Sequence, residues 1–425
     1  MQEPQSEQKV PWKSFWSLVI IQSMNSLNEK AVQFLLIALG IWMAVRLQYP
    51  LSILIVLPFV LFSPMAGWLA DRYCKTRLLQ AMVLLQVVVL VGMSVGLFLH
   101  SLPVTVGFFT VFCVQATFFS PAKKGLVKDI VGSERIGMAS GVLEITSMLA
   151  LLTGQIGALY IVYSLLKEWG RGSGWEAAAW PCAYATVGAV LVFVLSVTMI
   201  PRYKPQSTRL FHWGLLWEHF AQLRMLWNNR VLRNSEVGIG YFWFIAGVMM
   251  LIVLQMAQEA HPVETSADFM QILGQQKDSA MLFAWLSGGS ICGGVIASLL
   301  CSHRIHAWIA HAGGIGMTLG CVALALATYD TPLFYGALFF TGFTAAGYLV
   351  PLNALLQDRA DNDKRGDVIA AGNLVDCFLG AMSVVVQWMM ALAGLSTRAQ
   401  CGIMALLSAL VAVFIWRSMR GLLVK

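Results

Sequence analysis

Long apolar runs separated by short polar breaks make up nearly the whole chain. Twelve runs can be marked, at roughly 15–45, 51–70, 78–99, 103–127, 137–165, 178–200, 236–258, 279–301, 307–327, 333–356, 367–393 and 397–416. A helix needs about 20 residues to cross the hydrocarbon of a bilayer, and these runs meet that length. Backbone polar groups in lipid have no water to bond, so runs of this kind are expected to be helices that bond internally. The pattern therefore predicts an all-α polytopic membrane protein with twelve transmembrane helices.

The longest hydrophilic stretch, Pro201 to Ser235, falls after the sixth run. It divides the chain into an N-terminal six-helix bundle (1–200), a linker (201–235) and a C-terminal six-helix bundle (236–425). Within the linker, Trp213, Leu216, Trp217, Phe220, Leu223 and Trp227 recur at helical spacing among His212, Glu218, Arg224 and Arg230. That spacing predicts an amphipathic helix lying on the membrane surface.

Composition sharpens this picture. The 425 residues are 58% hydrophobic and only 12% charged, which excludes an ordinary soluble domain. The net charge of +7 does not point to nucleic acid, because the basic residues are scattered between apolar runs. Of the 28 lysines and arginines, only Arg46, Lys167, Arg171, Lys277 and Arg398 fall in the breaks of one parity, and Lys30 lies within a run. The rest occupy the other set of breaks, the end of the fourth run that leads into one of them, and the two ends of the chain. The positive-inside rule then puts both termini in the cytoplasm. The eight cysteines form no Cys-x-x-Cys, and the seven histidines no His-Glu-x-x-His. No metal site, cofactor or catalytic residue is expected.

The first run departs from the apolar pattern. Gln22, Ser26, Glu29 and Gln33 stand at i, i+4, i+7 and i+11, on one helical face, with Asn25 and Lys30 near them. A charge near the centre of a bilayer costs roughly 3 kcal/mol or more, so these groups are expected to face a watered cavity or a countercharge. The helix reads as the wall of a transport pathway.

Between the second and third runs stands Gly67-Trp-Leu69-Ala70-Asp71-Arg72-Tyr-Cys74-Lys75-Thr-Arg77. Gly67 permits close helix approach. Asp71 can cap or pair across the end of a helix in the other half. The segment resembles a motif of the major facilitator superfamily, with Cys74 in place of a glycine. A weaker echo, Gly294-Val-Ile-Ala297-Ser298, falls at the equivalent place in the second half. The resemblance implies two pseudo-symmetric six-helix bundles around a central cavity, with Gly67, Asp71 and Arg72 as gate residues.

Further motifs narrow the resemblance. They are Ser120-Pro121-Ala122-Lys123-Lys124-Gly125, Gly141-Val-Leu-Glu144, Pro351-Leu352-Asn353-Ala354-Leu355-Leu356-Gln357 and Arg365-Gly366-Asp367-Val368-Ile369-Ala370-Ala371. Together they are similar to those of the bacterial lysophospholipid transporter family, over about residues 15–420. That likeness implies movement of lyso-phosphatidylethanolamine and lyso-phosphatidylglycerol to the cytoplasmic leaflet, with re-acylation by a separate acyltransferase. A monomer in the lipid bilayer is expected. On this reading, Glu29 and Glu144 meet the cationic or hydroxyl part of a head group, and Lys30 or Lys123 meets its phosphate. Gln22, Asn25, Gln33, Asn353, Asn373 and Asp376 complete the substrate-binding set.

Two departures from that family stand out. Its first helix carries Phe-Gly-Asp-Asn where this chain has Leu27-Asn28-Glu29-Lys30. Its Asn-Asn-x-x-Asn becomes Gly372-Asn373-Leu374-Val375-Asp376. One position has gained a positive charge and another a negative one, so Lys30 and Asp376 are expected to compensate each other. Buried carboxylates serve proton coupling as well as substrate binding. The alternative is therefore a proton-coupled exporter of drugs or siderophores.

Overall fold

A computed structural model describes residues 11–45, 47–170, 172–203, 214, 219–260, 269–301, 304–361 and 364–423. The described residues form thirteen helices: α1 (Trp12–Trp42), α2 (Gln48–Arg72), α3 (Lys75–Phe98), α4 (Leu102–Val131), α5 (Ile136–Trp169), α6 (Gly174–Met199), α7 (His219–Asn228), α8 (Arg230–Ala260), α9 (Phe269–Leu300), α10 (Ala307–Leu326), α11 (Pro332–Arg359), α12 (Arg365–Leu392) and α13 (Thr397–Leu423). Eleven of them are long and apolar enough to cross a membrane. α1 spans 31 residues, and its polar stripe alone lowers its hydropathy below that of the others. It packs against α5 and α6, both spanning, and is the twelfth.

Local chemistry sets the helix ends. Proline occupies the first turn of α4 and α11, where no intrahelical donor is lost. Thr331 caps α11 by accepting a hydrogen bond from the Phe334 N–H at 3.3 Å. Gly132 and Gly170, at φ 73° and 95°, end α4 and α5 in a conformation that side chains with a Cβ rarely adopt.

The helix pairings repeat. α1 packs on α5 and α6, α2 on α4, and α3 on α4 and α6. In the same order, α8 packs on α12 and α13, α9 on α11, and α10 on α11 and α13. The two sets define pseudo-symmetric six-helix halves, with α7 between them in the chain. Pro121 and Pro351 occupy matching positions in α4 and α11. The halves meet chiefly along α2 with α12 and α5 with α9.

Several boundaries differ from those read in the sequence. α8 begins at Arg230 and α9 at Phe269, each well before the apolar run, because polar first turns are tolerated at a helix end. Of the linker, residues 204–213 and 215–218, with Trp213, Leu216 and Trp217, lie outside the described residues. The described part includes α7. It packs on α12 and α8, with Leu226 fully buried and Trp227 exposed.

Candidate functional site

At one end of the molecule the halves are clasped together. α2 ends against the first turn of α12. Asp71 is 3% exposed, and its two carboxylate oxygens accept hydrogen bonds from the N–H groups of Gly366 (2.8 Å) and Asp367 (3.2 Å). A helix N-terminus leaves such donors unsatisfied and carries partial positive charge, so a carboxylate there suits both needs. Close approach depends on paired glycines. A Cβ at Gly67 would lie 2.9 Å from the Gly366 carbonyl oxygen, and a Cβ at Gly366 would lie 2.6 Å from that of Gly67. Arg72, half-buried, closes α2 beside them.

A second buried cluster extends the clasp. Asp129, in the last turn of α4, receives Lys75 Nζ at 2.8 Å and Arg365 Nη1 at 3.2 Å. Lys75 opens α3 and Arg365 opens α12, and both are nearly fully buried. Lys128 reaches Asp358 at the end of α11, donating to its carbonyl at 2.6 Å. The other seam, α5 on α9, is drawn close by small residues. A Cβ at Gly137 would sit 2.6 Å from the Cys301 carbonyl oxygen, and one at Gly141 would overlap the Ser298 hydroxyl. In the sequence, Lys75 and Arg365 stood in motifs that named no partner for them, and Asp129 carried no signal of its own.

Deeper in, polar groups from five helices meet within and between the halves. On α1, the Gln22 amide donates to Ser26 and to Ser147 of α5, each at 2.9 Å. Asn25 accepts from Gln115 of α4 at 3.3 Å. These two residues are buried and mainly tie α1 into its own half. Glu29 and Lys30 are half-buried. Lys30 donates to Gln33 at 2.9 Å, one turn along the same helix. On α4, Lys123 lies over the Phe119 ring at 5.7 Å and within electrostatic reach of Glu144 and Glu29. Glu144 of α5 accepts from Asn353 of α11 at 3.3 Å, across the halves. Asn373 of α12 accepts from Lys124 at 3.1 Å and donates to Ser120 at 2.9 Å, also across the halves.

The expected compensation between Lys30 and Asp376 is not what this structure contains. Lys30 is satisfied by Gln33, and the cation acting on Asp376 is Lys124. The carboxyl beside Asp376 is that of Glu236 of α8, which packs against Gly372, one turn before Asp376. Glu236 is 1% exposed. Sequence reading missed it because the apolar run was taken to start there. The helix starts six residues earlier, which carries Glu236 into the packed interior. On α5, Gly154 meets the backbone of α1 at Leu27 and Ala31.

Farther from the clasp, α2 and α12 turn apolar and exposed. α2 shows Ile53, Leu57, Val60 and Leu61, and α12 shows Phe378, Val384, Trp388 and Met389. The site thus combines an apolar seam, a mixed-charge interior and a closed end.

Two matching six-helix halves, joined by a clasp and enclosing a mixed-charge interior, define a membrane transporter. The sequence profile of the Major Facilitator Superfamily matches residues 16–384, and the chain belongs to that superfamily. Among curated relatives, the lysophospholipid transporter LplT of Salmonella typhimurium (strain LT2) is 25% identical over 371 residues, 85% of this chain and 84% of that protein. LplT of Salmonella newport matches equally. Among solved structures, the fucose:proton symporter FucP of E. coli superposes with a TM-score of 0.73 at 13% identity, covering 95% of this chain and 99% of that one. The human organic anion transporter MFSD10 gives 0.73 at 12% identity, covering 97% of this chain and 100% of its own. An outward-facing bacterial homologue of ferroportin gives 0.68 at 12%, covering 96% and 99%. At these identities the structural likeness concerns the fold alone.

Proposed function

We propose that this transporter carries lysophospholipids of the ethanolamine or glycerol class across a bacterial inner membrane to the cytoplasmic leaflet, by alternating access. The observation that carries the proposal is the setting of Lys123. Lys123 stands beside Lys124 and within electrostatic range of two carboxylates, Glu144 and Glu29. A zwitterionic head group needs that arrangement: a cation for its phosphate and an anion for its amine. The names of the LplT relatives support the cargo class. The exposed apolar stretches of α2 and α12 offer an acyl chain a lateral path out of the cleft.

With the basic breaks and both termini in the cytoplasm, the clasp closes the cytoplasmic end. Head-group capture between Lys123, Glu29 and Glu144 precedes rocking of residues 1–200 against 236–425. Release of Asp71 from the start of α12 then opens the cytoplasmic side. A separate acyltransferase would restore the second chain of the delivered lipid, and the transporter works as a monomer.

Uptake of labelled lyso-phosphatidylethanolamine by spheroplasts lacking their own transporter tests the reading. Uptake is expected to require the protein and to be lost in Glu29→Ala. Absence of uptake by the folded wild-type protein would overturn the cargo and favour a proton-coupled exporter. Undiminished uptake by Glu29→Ala would remove Glu29 from the site.

A further inference from the structure

Arg224, Arg230 and Lys364 take no part in the interior site. Arg224 lies on α7, Arg230 opens α8 and Lys364 directly precedes α12. The three come together around a cavity of about 710 Å³ beside the clasp. Met225, Leu232 and Val368 give it an apolar wall. The three cations are exposed, and no side-chain hydrogen bond or ion pair ties any of them to another described residue. Asp361 is the single carboxylate among the described residues of the wall. Three cations against one carboxylate leave two positive charges in excess.

The wall also holds a positioned neutral donor. Asn229 caps α8: its Oδ1 accepts from the N–H groups of Val231 at 3.0 Å and Leu232 at 3.3 Å. These bonds fix the amide and leave its NH2 group to donate to a ligand. Arginine forks match the oxygens of a phosphate, and a lysine adds a point charge. An excess of two positive charges suits a phosphate group, whereas a lone carboxylate would leave half of it unmatched. Small-molecule sites occupy roughly 300–1,000 Å³, so the cavity has room for a phosphate and the group that carries it.

We propose that this cavity binds a phosphate-bearing anion and that its occupation holds the clasp shut. α7 is seated on α12 by Gln222, a buried side chain that donates to Asp367 Oδ1 at 2.8 Å. The N–H of the same Asp367 donates to Asp71 from the opposite half. Arg224 and Lys364 therefore belong to the two segments that meet at the turn receiving Asp71. An anion drawn between them ties α7 to that turn and opposes its displacement. α7 also packs on α2, whose end carries Asp71. Because linkage is reciprocal, closure of the clasp tightens the site as the bound anion favours closure. The phosphate can belong to a soluble compound or to the head group of an anionic lipid. The cavity lies outside the interior site, so the inference holds whatever the cargo.

The test follows maleimide alkylation of Cys301, buried where the halves meet, in the full-length protein. If the source is soluble, inorganic phosphate in neutral detergent should slow the reaction several-fold against sodium chloride of equal ionic strength. If the source is a lipid, nanodiscs of phosphatidylglycerol should slow it several-fold against nanodiscs of phosphatidylcholine, with little effect of free phosphate. Either result supports the site when the combined variant Arg224→Gln, Lys364→Gln abolishes the slowing. Slowing that survives in that variant overturns the proposal, as does the absence of slowing by both phosphate and phosphatidylglycerol. Equal slowing by sodium chloride also overturns it, since screening alone would then act. A melting temperature raised by phosphate in the wild type and not in the variant, with Cys301 unaffected, would break the link to the clasp. Both substituted side chains are exposed, so the variant is expected to fold. Should it not, Lys364→Gln alone decides, by a weakened response.

Discussion

Asp71→Ala removes the contact that ties α2 to the first turn of α12. The wild-type carboxylate is buried and accepts two backbone N–H bonds, at 2.8 and 3.2 Å. Loss of a helix cap costs about 0.5–2 kcal/mol, and hydrogen bonds to a charged group about 1.5–3 kcal/mol each. The interaction exists only while the clasp is shut, so its loss acts on the conformational equilibrium rather than on either half alone. Taking about 2 kcal/mol for the net effect, the population with an open clasp rises roughly 30-fold, at a tenfold change per 1.4 kcal/mol. Cys301 is a native reporter of that opening. It is 1% exposed and packs against Gly137 of the opposite half. Its alkylation by a maleimide, followed by mass spectrometry of the peptide, should quicken by that factor in Asp71→Ala. Asp71→Asn, which keeps one acceptor oxygen, should fall between. An unchanged Cys301 rate in Asp71→Ala would refute the idea that this carboxylate holds the end shut.

Two further outcomes follow from the same end of the molecule. Asp129→Asn leaves Lys75 and Arg365 buried without their shared carboxylate, and breaking a buried pair costs about 3–5 kcal/mol. A marked drop in the unfolding temperature in detergent is expected, and a wild-type melting curve would count against the network. Gly67→Leu forces atoms into the Gly366 carbonyl and the Asp367 backbone, which cannot yield as a side chain tip can. Cys301 alkylation should quicken there too, and a clasp as slow to react as the wild type would show that α2 and α12 can separate locally without opening the end.

Much of the architecture was legible because hydropathy is a local property. Each run carries its own evidence of length and apolarity, so the twelve spans and the all-helical class could be read without knowing any contact. Gln22 to Gln33 stood out for the same reason, as polar groups on one face of an apolar helix. The Gly67-to-Asp71 spacing also marked a place where two helices meet closely. Which helix they met was a different matter. Asp129 joins Lys75 and Arg365 because α3, α4 and α12 bring distant residues to one point, and no run of sequence encodes that meeting. Lys30 and Asp376 looked complementary by charge, yet helix geometry gives Lys30 its own Gln33 and gives Asp376 to Glu236 and Lys124. Glu236 itself stood at the edge of an apolar run, where a carboxylate is unremarkable. Packing of α8 on α12 turned that edge into interior, and the small surface of Gly372 left room for its side chain. Sequence thus determined which segments enter the membrane, because burial in lipid is settled residue by residue. The tertiary structure alone decided which charges share a countercharge or a clasp, because those depend on distances between helices that the chain order does not contain.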